Sequence, residues 1–329
     1  MKLVTFEIPT PVGSFARIGA LHHHTIVDLN MAYTHLLAES GESQPYRLAG
    51  AEVPSTMLEL FEGGTSAMNK ASRAYDLVTQ MDLPPRGPKG ETIVYSRENV
   101  RVLAPLPNPP SLRDFIAFED HIAATSKKRG QPIPPEWYDA PAYYKGNPRT
   151  IIGPQDDLPW PLRTTKLDYE LELACVIGRE GKNIPIKDAE RYIAGYTIMN
   201  DFSARDIQFQ EMKCRLGPAK GKDFATALGP CIVTPDEIPD INELTMIARV
   251  NGEVWSQGRF GTIYWTFAQM IEHVSQDEAI YPGDLFGSGT VGGGCGLEMD
   301  RFLKPDDVVE LEIQPIGILR TRIVHKDQS

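Results

Sequence analysis

The sequence predicts an α+β, β-rich protein in which a small N-terminal α+β domain precedes a larger, β-dominated domain. Two observations predict this class. Residues 1–103 combine short strand-like runs with helical periodicity, whereas the later chain consists mainly of short β-rich runs punctuated by glycine and proline. The length of 329 residues suits a small domain joined to a larger one.

The N-terminal region joins strands to helices. Three runs, LVTFEI, FARIGAL and TIVDL, have the composition of strands. Helical periodicity occurs over residues 30–38, 55–61 and 66–80. We therefore predict a small N-terminal domain over residues 1–103.

A proline-rich connector follows this region. Four prolines within residues 104–110 disfavour helix and interior strand, so we predict an extended connector over residues 104–111. Beyond it, the runs LELACVIG, AGYTIMN, MIARVNGEVW and DVVELEIQ are typical of strands. These runs predict the larger domain over residues 112–329.

The composition excludes several classes of protein. With 33 Lys and Arg against 44 Asp and Glu, the net charge of −11 argues against nucleic acid or an anionic membrane as a partner. No apolar run approaches the roughly 20 residues that span a bilayer, and Glu7 interrupts any signal-peptide-like stretch. We expect a cytoplasmic protein. Its four cysteines are far apart, without a CxxC pair, which favours buried free thiols.

An acidic motif lies within residues 167–174, LDYELELA. If this run is a strand, its period of two places Asp168, Glu170 and Glu172 on one face. Carboxylates about 6.6 Å apart on one face repel each other unless a cation lies between them or one of them stays protonated. Glu170 and Glu172 are therefore candidate ligands for a hard divalent ion. The alternative is an amphipathic strand with a solvated acidic face.

Asp201 is a third candidate carboxylate, because it follows the apolar run AGYTIM at the end of a predicted strand. The alternative is an Asn-Asp turn or a helix N-cap. Residues 111–121 are predicted as a helix capped by Ser111, with Asp114 and His121 seven residues apart on one face. Near a bound metal, an imidazole can act as a general base, although a lone histidine is more often structural or exposed.

Two further motifs are less specific. The glycine-rich run over residues 287–296, which includes Gly289, fits neither a P-loop nor a dinucleotide motif, and it favours a cradle for a substrate carboxylate. The alternative is a series of tight turns. The three histidines at 22–24 are predicted to form a surface turn, because alternate residues beside a strand point apart.

These motifs occur together in a recognisable order: Arg-Asp-Phe with a later histidine, DYELEL, MNDFSARD, GKDF and GSGT. From about Leu106 to Gln314, this order resembles the fumarylacetoacetate hydrolase family. The resemblance implies a mixed β-sandwich roll in the larger, catalytic domain and a homodimer. It also implies a divalent metal, Mg²⁺ or Mn²⁺ with Ca²⁺ as a further option, bound by Asp114, Glu170, Glu172 and Asp201.

The resemblance also implies roles for other residues. His121 would activate water with help from Glu298. Contacts with the developing oxyanion would come from Lys222, Arg205 and Gln208, and substrate contacts from Tyr144, Thr290 and Gly289. Arg205 has a structural alternative, which is an ion pair with Asp201 or Asp206.

The chain departs from the family pattern at several positions. Ile116 replaces a substrate-binding tyrosine, and Gly130, beside Arg129, stands where an arginine is expected. Ala124 stands where the smaller decarboxylase and acylpyruvase relatives have a glutamate, so the base resembles that of the larger hydrolases. Residues 123–143 are expected to select the substrate's tail and to close over the site as a lid.

These features predict a metal-dependent hydrolase that cleaves a carbon–carbon bond in a 1,3-diketo acid of the fumarylacetoacetate or acylpyruvate type, in aromatic-compound catabolism. The alternative is a decarboxylase, hydratase or isomerase of a 2-oxo or 2-hydroxydienoate acid at the same metal site. A remote alternative is a non-catalytic binding protein.

Overall fold

The computed structural model describes residues 1–325, which contain nineteen strands and nine α-helices. The strands are β1 (Lys2–Thr10), β2 (Gly13–His22), β3 (Thr25–Asp28), β4 (Val94–Ser96), β5 (Arg101–Val102), β6 (Leu112–Phe115), β7 (Tyr143–Gly146), β8 (Ile151–Ile152), β9 (Asp157–Pro159), β10 (Leu167–Asp168), β11 (Leu171–Ile177), β12 (Ile193–Asn200), β13 (Ser203–Ala204), β14 (Thr226–Val233), β15 (Thr245–Val250), β16 (Glu253–Arg259), β17 (Leu285–Gly287), β18 (Val308–Ile313) and β19 (Gly317–Val324). The helices are α1 (Leu29–Glu39), α2 (Pro45–Glu52), α3 (Met57–Glu62), α4 (Gly64–Thr79), α5 (Glu119–Lys128), α6 (Ile186–Ala189), α7 (Arg205–Met212), α8 (Phe267–Ser275) and α9 (Gly296–Met299).

Two sheets dominate the fold. The larger has 12 strands, with the path β4-β3-β2-β1-β14-β12-β11-β17-β6-β7 and with β5 and β8 paired to β1 and β14. The second has 5 strands in the order β16-β15-β18-β19-β9. Most pairs are antiparallel, but β17 with β6, β14 with β8 and β19 with β9 are parallel. The prediction of an α+β, sheet-rich fold with mixed sheets is therefore confirmed.

The larger sheet is covered on both faces. On β11, Leu171 and Leu173 pack in one apolar cluster with residues of the smaller sheet, whereas Ala174 and Val176 pack in another with the N-terminal helices. Every residue of β11 is buried. This arrangement explains why the run reads as almost continuously apolar, since a strand with both faces buried has no solvent side.

The N-terminal strands join the same sheet as the later ones. The pairs Lys2–Val233 and Leu3–Ile232 link β1 to β14. The division into two domains stays a prediction. Residues 104–111 form neither helix nor strand, and no helix in residues 1–325 has the length and apolarity that crossing a bilayer requires.

Most predicted N-terminal elements are present. The three strands form β1 to β3, and the three helical patterns correspond to α1, α3 and α4. The sequence patterns missed α2, in which only Ala49 is buried, because a helix with so little buried surface has little apolar periodicity. The predicted turn at the three histidines is confirmed, with His23 and His24 exposed.

The helix predicted over residues 111–121 is wrong. Leu112–Phe115 forms β6, and α5 begins only at Glu119. All four residues of β6 are buried between β17 and β7, so pairing with two neighbouring strands overrides the local helical pattern. The cysteine prediction needs one correction, because Cys214 is exposed, while the other three cysteines are buried free thiols.

Leu173→Ala tests the central position of β11. Leu173 is fully buried, so we expect the substitution to lower the free energy of unfolding by about 2–5 kcal/mol. Urea denaturation measures this loss. The matched control is Ile318→Ala on β19, where the side chain is 44% exposed and a loss below that of Leu173→Ala is expected. Equal losses would contradict the assigned core.

Candidate active site and metal centre

Four carboxylates converge at one end of neighbouring strands of the larger sheet. Asp114 lies on β6, Glu170 directly precedes β11, Glu172 lies on β11, and Asp201 directly follows β12. One oxygen of each lies within 4.8 Å of those of the others, and all four side chains are buried. The solvated acidic face that was the alternative for Glu170 and Glu172 is therefore wrong.

A glycine allows the carboxylates to meet across β17. Gly287 pairs with Asp114 on one side and with Ala174, two residues beyond Glu172, on the other. A Cβ atom at Gly287 would lie 2.5 Å from Asp114 Oδ1 and 3.0 Å from Glu172 Oε2. Any larger residue would fill the space between the two carboxylates. Gly287, the first residue of the glycine-rich run, thus leaves the space in which these two carboxylates approach each other.

In residues 1–325, positive charge reaches only two of the four carboxylates, because Lys222 contacts Glu170 and Asp201 and Arg205 contacts Glu170. Lys222 Nζ lies 2.5 Å from Asp201 Oδ2 and also contacts Glu170. Glu172 Oε2 and Asp201 Oδ1 are buried without a hydrogen-bond partner in residues 1–325. Buried charged oxygens without partners are costly. Buried carboxylate oxygens are also the ligands that hard divalent cations prefer, so the cluster fits such an ion.

The surroundings shift the pKa values of the four carboxyl groups in different directions. Burial and the neighbouring carboxylates raise the pKa of Asp114 and that of Glu172 well above their usual values. Burial also raises the pKa of Asp201, although Lys222 opposes it. Burial disfavours ionisation of Glu170 too, but Arg205 and Lys222 outweigh it and lower its pKa. Without a cation, the cluster therefore retains protons.

His121 and Glu298 form a second pair of polar groups. His121 lies in the first turn of α5, and its Nδ1 atom lies 2.8 Å from Oε1 of Glu298 on α9. The other oxygen of Glu298 accepts a hydrogen bond of 2.9 Å from the Gly293 N–H. If Glu298 is ionised and only accepts hydrogen bonds, Nδ1 carries the proton and Nε2 has a free lone pair. This arrangement suits a general base.

Arg205 is bound on all sides by acceptors. Its Nε donates to Asp168 (2.8 Å), one Nη to Glu170 (2.7 Å) and the other to Gln208 (3.1 Å). The alternative ion pairs of Arg205 with Asp201 or Asp206 are not formed; Asp206 instead accepts from Thr164 and Thr165. In this state Arg205 orients Glu170. Its contact with substrate stays a prediction.

The acidic cluster and His121 face one cavity of about 260 Å³, which is lined by Asp114, Glu170, Glu172 and His121. Tyr144 donates to Asp201 Oδ2 (2.7 Å), Thr290 lies 3.4 Å from Glu172, and the Gly289 N–H donates to Asp114 (3.2 Å). Other predicted residues also line the cavity: Gln208, Lys222, Arg129 and Ile116. The structure thus brings together in one region every site residue that the sequence predicted.

Part of the cavity wall was missed by the sequence analysis. Phe209 and Met212 of α7, with Pro218 after it, line the cavity alongside Thr125 and Ala142 from the predicted specificity region. The approach of α7 to the cavity depends on tertiary packing, so no local pattern marks it. Closure of residues 123–143 as a lid stays a prediction.

A larger cavity of about 1000 Å³ lies elsewhere, where α4 meets the ends of β11 and β12. Met68, Arg179 and Thr234 line it. None of the predicted site residues does. We therefore do not assign the active site to this cavity, although it is larger than the one that His121 lines.

Residues 112–324 match the sequence model of the fumarylacetoacetate (FAA) hydrolase C-terminal domain. The chain therefore belongs to the fumarylacetoacetate hydrolase family, and the resemblance is confirmed. Over 326 residues it is 31% identical to the human protein named oxaloacetate tautomerase FAHD2A, mitochondrial, an alignment that covers 98% of this chain and 92% of that protein. Over 236 residues it is 31% identical to oxaloacetate tautomerase YisK of Bacillus subtilis, covering 70% and 76%.

Solved structures show the same fold. The fumarylacetoacetate hydrolase from Exiguobacterium antarcticum has a TM-score of 0.69 at 24% identity, covering 99% of both chains. The maleylpyruvate hydrolase from Sphingobium has a TM-score of 0.68 at 19% identity, covering 99% of this chain and 100% of that one. These likenesses show the fold, and the family match together with the 31% identical relatives makes the chain a member of an enzyme superfamily.

Glu172→Gln tests the acidic cluster as a metal site. The change preserves shape but removes one of four converging charges, so we expect the affinity for Mn²⁺ to fall roughly 100-fold. Isothermal titration calorimetry of the ion-depleted proteins measures it. Glu98→Gln, at an exposed position, is the control and should bind like the wild type. Unchanged affinity in the Glu172 variant would contradict the site.

The raised pKa values predict proton release on metal binding. A raised pKa in the folded state means that ion-free protein keeps protons on Asp114 and Glu172 above the usual range, so its stability should fall as pH rises above about 4. Metal ligands must be deprotonated. Mn²⁺ binding should therefore release a measurable number of protons per ion. Titrations in buffers of different ionisation enthalpy would measure this number, and a value of zero would contradict the assignment.

Proposed function

We propose that the protein is a divalent-metal-dependent enzyme that interconverts the keto and enol forms of a 2-oxo dicarboxylic acid of the oxaloacetate type. The observation that carries this proposal is that His121, held by Glu298, lines the same small cavity as three of the four clustered carboxylates, Asp114, Glu170 and Glu172. Enolisation needs one base beside one Lewis-acid site. The names of the relatives that are 31% identical support the same reaction.

The chemistry would divide between the two groups. When bound by Asp114, Glu170, Glu172 and Asp201, a divalent ion would polarise the 2-oxo group and make the adjacent C–H more acidic. Nε2 of His121 would remove a proton from C3, the electron pair of that C–H bond would form the C2–C3 double bond, and the π pair of the carbonyl group would move to its oxygen. The imidazolium would then protonate this oxygen and complete the enol. Glu298 would stabilise the imidazolium through Nδ1.

The cavity suits a small, charged acid. Its volume of about 260 Å³ is at the lower end for ligand sites. Arg129 lines it from the end of α5, where its guanidinium would offer a countercharge to the second carboxylate of the substrate. Gln208 adds a neutral hydrogen-bonding group. We expect Mg²⁺ or Mn²⁺ as the ion, with Ca²⁺ as a further option.

Carbon–carbon hydrolysis of a 1,3-diketo acid is the second candidate, and the predicted role in aromatic-compound catabolism belongs with it. The His121–Glu298 pair favours it equally, because the same base would activate water. Water attack also needs donors for a tetrahedral oxyanion. Lys222 and Gln208 line the cavity, but Arg205 is engaged with Asp168 and Glu170. The oxyanion site is thus less complete than the enolisation site.

His121→Ala tests the base in either reaction. With oxaloacetate and Mn²⁺, we expect the rate of enol-to-keto conversion, followed by loss of enol absorbance, to fall about 10²- to 10⁴-fold. The affinity for Mn²⁺ should stay unchanged, because His121 is not among the four carboxylates. The exposed His24 provides the control variant, His24→Ala. A rate equal to that of wild type in His121→Ala would contradict the base assignment.

Product analysis distinguishes the candidates. After incubation in D₂O with oxaloacetate, acylpyruvates or fumarylacetoacetate, mass spectrometry should show faster deuterium uptake at C3 of oxaloacetate than without enzyme, and no cleavage products. Paired acid products would instead establish the hydrolase, and carbon dioxide a decarboxylase. Metal binding without turnover of any of these would revive the non-catalytic alternative.

The assembly and compartment also remain proposals. We expect a homodimer, which light scattering of the purified protein can test. We expect a cytoplasmic enzyme, although the name of the human relative includes the word mitochondrial.

A further inference from the structure

Asp168 is a buried carboxylate whose two oxygens accept four hydrogen bonds. Oδ1 accepts from the backbone N–H groups of Tyr169 (2.9 Å) and Gly296 (2.7 Å). Oδ2 accepts from Nε of Arg205 (2.8 Å) and from the N–H of Leu297 (2.9 Å). Asp168 is fully buried and does not line the active-site cavity, so a direct role with substrate is excluded.

The hydrogen bonds of Asp168 join the two halves of the site. On one side, Arg205 binds Asp168 through Nε and donates a hydrogen bond of 2.7 Å from Nη2 to Oε1 of Glu170. On the other side, the N–H groups of Gly296 and Leu297 belong to the start of α9, the helix that carries Glu298. One carboxylate therefore links a predicted metal ligand to the partner of the predicted base.

The backbone at Gly296 is closely packed against the Asp168 side chain. A Cβ atom at Gly296 would lie 2.6 Å from Asp168 Oδ1 and 2.0 Å from the carbonyl oxygen of Arg301, so only glycine permits the approach. A backbone bridge between Glu170 and Cys295 joins the same two segments. The distance between the metal side and the base side is therefore set by two independent contacts.

We propose that Asp168 is a positioning residue that fixes Glu170 and Glu298 relative to one another. The inference rests on the proposed metal centre and base. An asparagine at this position has one acceptor oxygen, and its NH₂ group can only donate. It can therefore satisfy either the two donors of Oδ1 or the two donors of Oδ2, which include Arg205, but not all four. If the asparagine oxygen takes the place of Oδ1, Arg205 loses Asp168 as its second carboxylate partner. Arg205 would then bind Glu170 alone and compete with the metal for it.

Asp168→Asn is the test, with three measurements. We expect the affinity for Mn²⁺, followed by electron paramagnetic resonance, to fall about 10- to 100-fold, the usual effect of losing a partner of a metal ligand. We expect the Nδ1–H resonance of His121, assigned by its absence in His121→Ala, to shift because Glu298 moves. At saturating metal, kcat should fall about 10-fold or more while KM changes less than about twofold.

Asp206→Asn is the matched control. Asp206 is adjacent to Arg205 and accepts hydrogen bonds from Thr164, Thr165 and the Ile207 N–H, none of which lines the active-site cavity. We expect wild-type metal affinity and a wild-type His121 resonance in this variant. If Asp168→Asn equals Asp206→Asn in both, the proposal is wrong.

A second variant covers the case in which Asp168→Asn does not fold. Asp168→Glu keeps the charge and both acceptor oxygens but displaces them by one methylene group. We expect the same two changes, smaller in size, in folded protein; wild-type values would overturn the proposal. Metal affinity and the histidine resonance need no substrate. Failure of wild-type protein to act on oxaloacetate would therefore count against the proposed function and leave this test decisive.

Discussion

Repulsion among four buried carboxylates is the constraint on which the rest of the site depends. Two unit charges 4 Å apart interact by about 4 kcal/mol at an effective dielectric constant of 20. Asp114, Glu170, Glu172 and Asp201 lie within 4.8 Å of one another, and Lys222 neutralises only part of their charge. The cluster must therefore hold either protons or a cation. A divalent ion removes the repulsion and supplies the Lewis acid that enolisation needs.

The fold maintains this unfavourable cluster by rigid packing around it. Strands β6, β17, β11 and β12 are adjacent in one sheet, and apolar clusters cover both faces of β11. Gly287 leaves room for two carboxylates to meet above β17, and Gly296 admits Asp168 to the backbone of α9. The base side and the metal side thus belong to one hydrogen-bonded framework. In the proposed reaction, the substrate would be bound and deprotonated without rearrangement of these groups.

Local patterns in the sequence predicted much of the fold and part of the site. Alternation around Glu170 and Glu172 correctly indicated neighbouring carboxylates. The same alternation placed Asp168 on their face, but the strand is interrupted between β10 and β11, and Asp168 lies outside the active-site cavity. The helix predicted around Asp114 was wrong, since pairing of β6 with two strands is a non-local effect. The hydrogen bonds of Asp168 reach Gly296 and Leu297, 128 and 129 residues later. No local pattern carries that information, whereas family resemblance brought together residues as distant as His121 and Glu298.

The most direct test of the central claim is the position of a bound ion. Crystals of the Mn²⁺-loaded protein, measured at the manganese absorption edge, would locate it by anomalous scattering. We expect one strong peak among the oxygens of Asp114, Glu170, Glu172 and Asp201, with metal–oxygen distances of roughly 2.0–2.3 Å. A peak instead at His121, Cys295 and Glu298, which also converge, or no peak at saturating Mn²⁺, would contradict it.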